Sequence, residues 1–504
     1  MDAAQNRGRL LRHFRAVIDA PRWLLLVALI FAPWAYGCTR PWGIQALCWL
    51  LDGMILLWAI ECLLRERRPQ IPPLLLAALL CLLVQGWWMT WNAKSIFNPD
   101  LLAFIPKPSF LSSRPGSVDA KLSTSSMWLV TSLAGALLFT VDLAQRPIWR
   151  KRILLTMAFT GLSIGLFGIA QKIGGEPVLS WTWEPAKLEP DNNFALYRYR
   201  GNAGAYLNIL LPIIGCFTLQ AFHNRTHSSQ AVRAFWAAAL LINIAAIQLN
   251  PSRASCLIAI LLGVAIVLLG CWRWFNFSDF DARDFWKCAA LSSAGIAALA
   301  LICFFGNWQS AWKRIGLDGL NIASRSPTEI YLAMLPDAGV LGFGPGTFRA
   351  AFPGYQLTYD FGQRTVPEFW TKHSRLQSHN DYLQTIIEWG YLGAVMWVIV
   401  FAGGLARAAL RVKGPKGQRS RDDLKSSLGP DSFVLGCVVL AISGTLLHGV
   451  IDFPLQIASI QLYIAVLLGL CWHKPSSPSV RPIRPQLIGN AVVAGTSLNR
   501  NLNP

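Results

Sequence analysis

Charged residues are scarce in this sequence, and acidic residues are the scarcest. Of the 504 residues 14% are charged, with 26 Asp and Glu against 45 Lys and Arg, while 54% are hydrophobic and the mean hydropathy is +0.40. Apolar runs of about 20 residues, each long enough to cross a bilayer, recur along the chain. The composition therefore excludes a soluble multidomain protein and predicts an all-α, polytopic membrane protein. The net charge of +19 then indicates cytoplasmic loops and anionic lipid head groups rather than nucleic acid as a partner.

Several familiar motifs are also missing. The 11 cysteines include no Cys-x-x-Cys pair and lie mostly in apolar runs, which is typical of small buried hydrophobes rather than a disulfide framework or a metal site. His373 and His379 have no carboxylate or Cys partners at ligand spacing, so no metal is expected. The glycine-rich segment Gly342–Gly346 lacks the spacing, the preceding strand and the lysine of a phosphate-binding loop. It predicts a tight turn or a close backbone approach, and we expect no cofactor.

The apolar runs predict twelve transmembrane spans. We place them near 23–39, 43–64, 71–91, 126–145, 153–173, 201–222, 231–249, 254–272, 286–306, 390–410, 432–450 and 454–472. Basic residues alternate between the connecting loops, so the positive-inside rule predicts that both termini are cytoplasmic. No small-residue cleavage site follows the first apolar run, which predicts an uncleaved first span. The predicted organisation is spans one to nine in 1–306, a large periplasmic loop in 307–389, spans ten to twelve in 390–473, and a disordered cytoplasmic tail in 474–504.

The large loop contains a strong helix start. Ser326-Pro327-Thr328-Glu329 combines a capping Ser, a Pro at the first helical position and a Glu three residues after the cap, and it predicts a helix to about Leu335 that stops by Gly339. Arg325 directly precedes this cap, so amide donors and a fixed charge could together bind an anion. The alternative is that Arg325 pairs with a loop carboxylate.

A second helix start follows in the same loop. Ser378 is expected to be the N-cap, with Asp381 three residues later, which places His379 at the first helical position. A neutral imidazole at an outer-face helix start could act as a general base. The alternative is that His379 only caps and packs.

Four arginines are predicted on the same outer face. Arg198 and Arg200 directly precede span six, Arg253 lies between spans seven and eight, and Arg325 is in the large loop. Guanidinium groups suit bidentate recognition of a pyrophosphate. Each of them could instead reach the phosphate of any lipid.

Acidic residues inside the predicted spans are few, with Asp52 and Asp142 as candidates. Their scarcity argues against a proton-driven transporter. His448 and Asp452 lie four residues apart near the outer end of span eleven, so they are expected to share a helix face. They would form either a structural pair that closes the bundle or a proton-relay pair.

These motifs together resemble those of the O-antigen ligase and polymerase superfamily of bacterial envelope glycan enzymes. His379-Asn380 is followed by nine residues and then by Gly390-Tyr391-Leu392-Gly393, which is the ligase pattern up to that point. The GFGPGTF and LHGVIDFPLQI segments and the large loop before span ten are also similar. The resemblance covers roughly residues 200–470.

The resemblance implies a metal-independent, inverting glycosyltransferase at the outer face of the bacterial inner membrane. Its donor would be a glycan linked to undecaprenyl diphosphate, and His379 would take the proton from the acceptor hydroxyl. Arg253 and Arg325 would hold the diphosphate, and Arg200 and Asn380 would be further substrate-binding residues.

The acceptor would be lipid A–core for a ligase in lipopolysaccharide biosynthesis, or a growing glycan for an O-antigen or exopolysaccharide polymerase. The sequence leaves these two alternatives open. A transporter or flippase would predict paired half-helices or inverted repeats around midplane charges, and the sequence shows neither.

Overall fold

The computed structural model describes residues 15–101, 103–174, 193–223, 228–277, 328–362, 377–413 and 430–473. These residues form thirteen helices and one two-stranded hairpin. In chain order the helices are α1 Arg15–Trp34, α2 Pro41–Leu64, α3 Pro73–Trp91, α4 Ala120–Leu143, α5 Pro147–Gly174, α6 Arg200–His223, α7 Gln230–Leu249, α8 Arg253–Phe277, α9 Thr328–Ala338, α10 Phe348–Gly362, α11 Asp381–Lys413, α12 Pro430–His448 and α13 Ala458–Trp472.

Eight of these helices, α2 to α8 and α11, are long and apolar enough to cross a membrane. Shorter apolar stretches lie at Ser432–His448 and Ala458–Trp472. The prediction of an all-α, multi-pass membrane protein is confirmed. The predicted ninth span, 286–306, lies outside the described residues.

The predicted first span, 23–39, has the wrong limits. The helix ends at Trp34 because Tyr36, Gly37 and Cys38 all have positive φ, between 51° and 64°. Residues in this left-handed region cannot continue a right-handed helix.

Local sequence explains where several helices begin. Pro41 and Pro73 are the first residues of α2 and α3. Proline lacks a backbone N–H, but at the first position of a helix that group would have no partner within the helix. Asp119 caps α4 by accepting from Leu122 N at 2.8 Å. Ser252 caps α8 by accepting from Ser255 N at 3.3 Å.

The centre of the bundle is formed by α6 and α13. Every residue of α13 except Gln461 is buried. Tyr206 donates to the hydroxyl of Tyr463 at 3.2 Å, and Tyr463 donates to the carbonyl of Leu29 at 3.0 Å. These bonds satisfy the phenol groups inside an otherwise apolar core.

Helix α11 is broken at Gly390, whose φ of 64° and ψ of −176° are not helical. A Cβ atom at this position would lie 2.3 Å from the carbonyl oxygen of Val340, so only glycine fits. The break divides α11 into a short N-terminal helix, which starts at Asp381, and a longer apolar helix, which starts near the predicted limit of span ten.

The glycine-rich segment Gly342–Gly346 supplies the hydrogen bonds that the broken helix lacks. Phe343 N and Gly344 N donate to the carbonyls of Ile387 and Glu388 at 2.9 and 3.0 Å, the carbonyls on the N-terminal side of the break. On the other side, Tyr391 N donates to the carbonyl of Gly339 at 3.1 Å. The prediction of a close backbone approach is confirmed, and its partner is the break in α11.

The carboxylate of Glu388 fastens the same loop to α11. It is buried and accepts from Gly346 N at 3.0 Å and from Phe348 N at 3.2 Å. Because Phe348 begins α10, the carboxylate binds the free amides of that helix N-terminus. Gln85 of α3 donates to the carbonyl of Trp389 at 2.6 Å and so ties the break to the bundle.

The segments that precede α11 form a small core of their own. Helix α9 ends at Ala338, in agreement with the predicted stop by Gly339, and packs with α10 against the outer part of α11. Ser326 and Arg325 lie outside the described residues. The shared apolar cluster consists of Ile330, Tyr331, Met334, Phe348, Phe352 and Ile387.

A hairpin for which the sequence analysis made no prediction lies between α3 and α4. Strands β1, Ser95–Asn98, and β2, Ala103–Pro106, pair antiparallel with Ser95 opposite Pro106. The hairpin is too short to change the fold class.

Candidate active site

The N-cap of α11 is Asn380, so the prediction that Ser378 caps this helix is wrong. The Asn380 side-chain oxygen accepts from Tyr382 N at 3.1 Å and from Leu383 N at 3.0 Å. Ser378 is buried, and its hydroxyl donates to the carbonyl of Asn380 instead. Asn caps at least as well as Ser, and the Asn cap moves the start of the helix to Asp381.

His379 consequently lies outside the helix, not at its first position. Its φ is 53°, a left-handed conformation that is uncommon for residues other than glycine and that is often found at functional sites. The side chain is 30% exposed, and its Nδ1 lies 3.2 Å from Oδ1 of Asp452. An imidazole that donates from Nδ1 to a carboxylate leaves Nε2 as a proton acceptor.

The sequence analysis paired Asp452 only with His448, and the structure places it beside His379 as well. It lies in the turn after α12, so the prediction that it shares a helix face with His448 is wrong. The side chain is 8% exposed, and its Oδ1 also accepts from Phe453 N at 3.0 Å. A buried carboxylate with two donors on one oxygen is held in a single orientation.

The carboxylate of Asp452 also lies against the start of α6. A Cβ atom at Gly201 would be 2.1 Å from Asp452 Oδ2, so the close approach requires glycine. The positive end of the α6 dipole therefore faces the carboxylate and stabilises its negative charge.

Two stacked aromatic rings lie on one side of the imidazole. Tyr199 and Phe453 stack with a centroid distance of 5.3 Å and an interplanar angle of 11°. The ring of His379 stands edge-on to both of them, at 4.8 Å from Phe453 and 6.1 Å from Tyr199. Apolar rings on one side shield the pair of His379 and Asp452 from water and strengthen its electrostatics.

The start of α11 is attached at several points to the turn between α12 and α13. Asp381 is buried and accepts from Leu455 N at 2.9 Å and from the side chain of Gln456 at 3.1 Å. The Asn380 side chain donates to the carbonyl of Val450 at 3.1 Å. These bonds hold His379 and Asp452 in register, although 73 residues separate them.

His448 lies on the inner side of Asp452. It is fully buried, and its Nε2 is 3.8 Å from Asp452 Oδ2, beyond hydrogen-bond distance. Neither of its ring nitrogens has a hydrogen-bond partner among the described residues. Its place next to Asp452 suits either of the two roles that the sequence analysis left open.

The structure brings two of the predicted arginines close together. Arg200 and Arg253 are the first residues of α6 and α8, and Asn250 donates to the carbonyl of Arg200 at 3.0 Å. Arg200 directly follows Tyr199 and precedes Gly201, which contacts Asp452. The start of α6, which carries Arg200, therefore borders the site of His379. Asn250, just before α8, contacts this start of α6, and Arg325 lies outside the described residues.

The acidic residues within the spans are engaged in structural contacts. Asp52 accepts from Trp128 Nε1 at 2.7 Å and from the Ser132 hydroxyl at 2.6 Å. Asp142 pairs with Arg67 at 2.6 Å. Among the described residues no group of three His, Cys, Asp or Glu is placed to hold a metal ion, and the expected absence of a metal stays a prediction.

No protein-family model matches this chain, and no curated protein matches it. The resemblance to the O-antigen ligase and polymerase superfamily therefore stays an expectation that rests on the motifs. The structure shows a structural role for two of these motifs. His379-Asn380 forms the site and caps α11, and Gly390 permits the break in the same helix.

Proposed function

We propose that this protein is a membrane glycosyltransferase that transfers a glycan from an undecaprenyl-diphosphate donor to an acceptor hydroxyl. The observation that carries the proposal is the partly exposed imidazole of His379, whose Nδ1 lies 3.2 Å from the buried carboxylate of Asp452. A buried carboxylate orients the ring and stabilises the imidazolium that forms when Nε2 accepts a proton. This is the arrangement that a hydroxyl nucleophile requires.

In the proposed reaction His379 Nε2 takes the proton of the acceptor hydroxyl. The acceptor oxygen forms a bond to the anomeric carbon as the bond from that carbon to the diphosphate oxygen breaks. Attack from the face opposite to the leaving group inverts the anomeric configuration. Undecaprenyl diphosphate leaves with the bonding electrons, and the imidazolium returns its proton to solvent or to the leaving group.

The arginines are proposed to neutralise that leaving group. Arg253 and Arg325 would hold the diphosphate, with Arg200 as a further contact, because the guanidinium fork matches phosphate oxygens. The starts of α6 and α8, which carry Arg200 and Arg253, face the same end of the bundle as His379. Backbone amides at these helix starts favour an anion there.

The proposal includes a twelve-span topology in the bacterial inner membrane with the site at the periplasmic face. The large translocated loop before α11 and the basic loops at the opposite face support this orientation. No metal or other cofactor is needed, because the bond from sugar to diphosphate is already activated. Both ligase and polymerase chemistry would use the same proton transfer.

The test uses the purified full-length protein in lipid nanodiscs with a labelled lipid-linked glycan. The variant His379→Asn removes the base, and Asn tolerates a positive φ, so folding should be retained. We expect a loss of transfer of about 10²–10⁴-fold, with an unchanged elution profile on size exclusion. His473→Asn, a histidine replacement at the opposite end of the bundle, serves as the control and should keep its activity.

Near wild-type transfer by folded His379→Asn would remove His379 from the mechanism. The product also identifies the acceptor. Glycan on lipid A–core indicates a ligase, and a longer lipid-linked glycan without lipid A indicates a polymerase. Translocation of the lipid-linked substrate with no new glycosidic bond would support a flippase instead.

A further inference from the structure

A cavity lies at the end of the bundle opposite to His379. His379 precedes α11, and the cavity is lined by Arg411, close to the other end of that helix, and by His473, which follows α13. Its volume is about 630 Å³. It therefore belongs to neither the proposed active site nor the outer loops.

The charged residues of the cavity wall are all basic, and Gln220 and Ser432 are its neutral polar residues. Arg150 and Lys151, in the first turn of α5, line it together with Arg411 and His473. Among the described residues no carboxylate lies within ion-pair distance of Arg411 or Lys151. The cluster thus brings fixed positive charges to one rim of the cavity.

His473 joins the two arginines. Its Nδ1 donates to the carbonyl of Leu470 at 2.6 Å, so Nε2 is free to accept from Arg150 Nη1 at 2.9 Å. Arg411 Nη1 lies 3.0 Å from Nδ1 and 3.2 Å from Nε2 of the same ring. Burial, together with the charge of Arg411, lowers the pKa of His473 to about 4. The ring is therefore neutral near pH 7. In this state it lies between the guanidinium groups of Arg150 and Arg411 and contacts both.

The rest of the wall is apolar. Ile148, Leu154, Phe217, Val434 and Val438, from α5, α6 and α12, line the cavity beside the basic rim. Helices α5 and α6 are long and apolar enough to cross a membrane, and α12 contains a shorter apolar stretch. The basic rim lies at the helix ends, which corresponds to the depth of lipid phosphates, and the apolar wall continues toward the depth of acyl chains.

We propose that this cavity is a binding site for an anionic phospholipid. The phosphate would contact Arg150, Lys151 and Arg411, and an acyl chain would follow the apolar wall. A free inorganic anion would contact only the basic rim and leave the apolar wall unused. A zwitterionic lipid would place the positive charge of its head group next to the basic rim, which is unfavourable. The combination of both surfaces in one cavity favours a lipid with net negative charge.

Native mass spectrometry of the delipidated full-length protein tests this proposal. Dioleoylphosphatidylglycerol and dioleoylphosphatidylcholine are titrated separately, and inorganic phosphate is added as a competitor. For the wild type we expect phosphatidylglycerol to bind at least about tenfold more tightly than phosphatidylcholine, because two or three cations near a lipid phosphate each add to the affinity. Inorganic phosphate at millimolar concentration should not displace the lipid.

The double variant Arg150→Gln/Lys151→Gln should bind phosphatidylglycerol about tenfold less tightly and phosphatidylcholine unchanged. Arg233→Gln is the matched control, because Arg233 is near the start of α7 at the same end of the bundle but does not line the cavity. The single variant Lys151→Gln, at an exposed side chain, should show part of the loss without any effect on folding.

Three results would overturn the proposal. Equal affinity for the two lipids would show that charge is not recognised. Displacement by inorganic phosphate would make the cavity a site for small anions only. Unchanged phosphatidylglycerol binding in Lys151→Gln and in the folded double variant would place the lipid elsewhere.

Discussion

His379 Nδ1 and Asp452 Oδ1 lie 3.2 Å apart, although the two residues belong to different loops. The first loop leads into α11, and the second is the turn after α12. Asp381 and Asn380 join the two loops through hydrogen bonds to Leu455 N and to the carbonyl of Val450. The imidazole is therefore positioned by a network that extends over the ends of three helices, and its Nε2 is the atom available to a substrate.

Replacement of Asp452 tests this relationship. Asp452→Asn keeps the size of the side chain, but an amide no longer stabilises an imidazolium and can favour the tautomer that protonates Nε2. We expect transfer to fall by about 10²–10⁴-fold with the affinity for the donor little changed. The measurement is kcat and KM of the purified variant.

A double variant supplies the control for this prediction. If Asp452 acts through His379, then His379→Asn/Asp452→Asn should be no slower than His379→Asn alone. Losses that multiply would mean that Asp452 has a separate role, and full activity of Asp452→Asn would remove it from the mechanism.

Much of the fold was readable in the sequence, because apolar runs and Pro or Gly signals act locally. The segment Gly342–Gly346 was predicted to form a tight turn or to approach another backbone. It does approach one, and its partner near Gly390 is set by tertiary packing. The cap of α11 was misplaced because Ser378 and Asn380 are both good caps, and the contacts that hold each of them in place, such as that of Asn380 with Val450, cannot be read from local sequence. The role of Asp452 could not follow from spacing, since its partner lies 73 residues away.

The role of Asn380 is the subject of the second prediction. Its amide makes three hydrogen bonds within the protein, two as the cap of α11 and one to Val450. Asn380→Ser retains a cap, whereas Asn380→Ala removes it at a cost of about 1 kcal/mol. We therefore expect Asn380→Ser to keep the unfolding temperature of the wild type and a transfer rate within about threefold of it. Asn380→Ala should lower both the unfolding temperature and the transfer rate.

Turnover and thermal unfolding, measured on the same samples, separate the two roles of Asn380. A folded, stable Asn380→Ser protein that loses transfer by tenfold or more would favour direct contact between the amide and the substrate. Equal stability of the Ala and wild-type proteins would contradict the capping role.

The break in α11 leads to the third prediction. At Gly390 a side chain would have to adopt a φ of 64° with a ψ of −176° and would meet Val340 O. Such backbone strain costs roughly 1–3 kcal/mol before any clash is counted. Gly390→Ala should lower the unfolding temperature in detergent, whereas Gly53→Ala in α2, where a Cβ atom has nothing within 4 Å, should not. Similar stability of the two variants would contradict the strained break.

Acidification provides the fourth prediction, through His473. Burial, with the charge of Arg411, lowers the pKa of His473 to about 4 in the folded protein, compared with about 6.5 in an unfolded chain. The unfolded state therefore binds the proton first as the pH falls. The stability that neutral His473 contributes is complete above about pH 6.5 and is lost as the pH falls through 4.

The variant His473→Gln does not titrate in this window. Unfolding temperatures measured at intervals from pH 7.5 to 4 should therefore fall less steeply for His473→Gln than for the wild type. Parallel curves would mean that other groups account for the whole pH dependence.

The last prediction concerns the arginines. If Arg253 and Arg325 bind the diphosphate, lysine should replace them poorly, because it keeps the charge but loses the forked donor geometry. We expect Arg253→Lys and Arg325→Lys each to lower transfer at least about tenfold, equivalent to about 1.4 kcal/mol of transition-state stabilisation. Arg200→Lys should lose less, because Arg198 is close enough in sequence to substitute for it. Turnover and donor affinity are measured at matched amounts of folded protein. Full activity of both Arg253→Lys and Arg325→Lys would exclude binding of the diphosphate by these two arginines. They would then only form exposed ion pairs, which contribute about 0–1 kcal/mol and which lysine can also form.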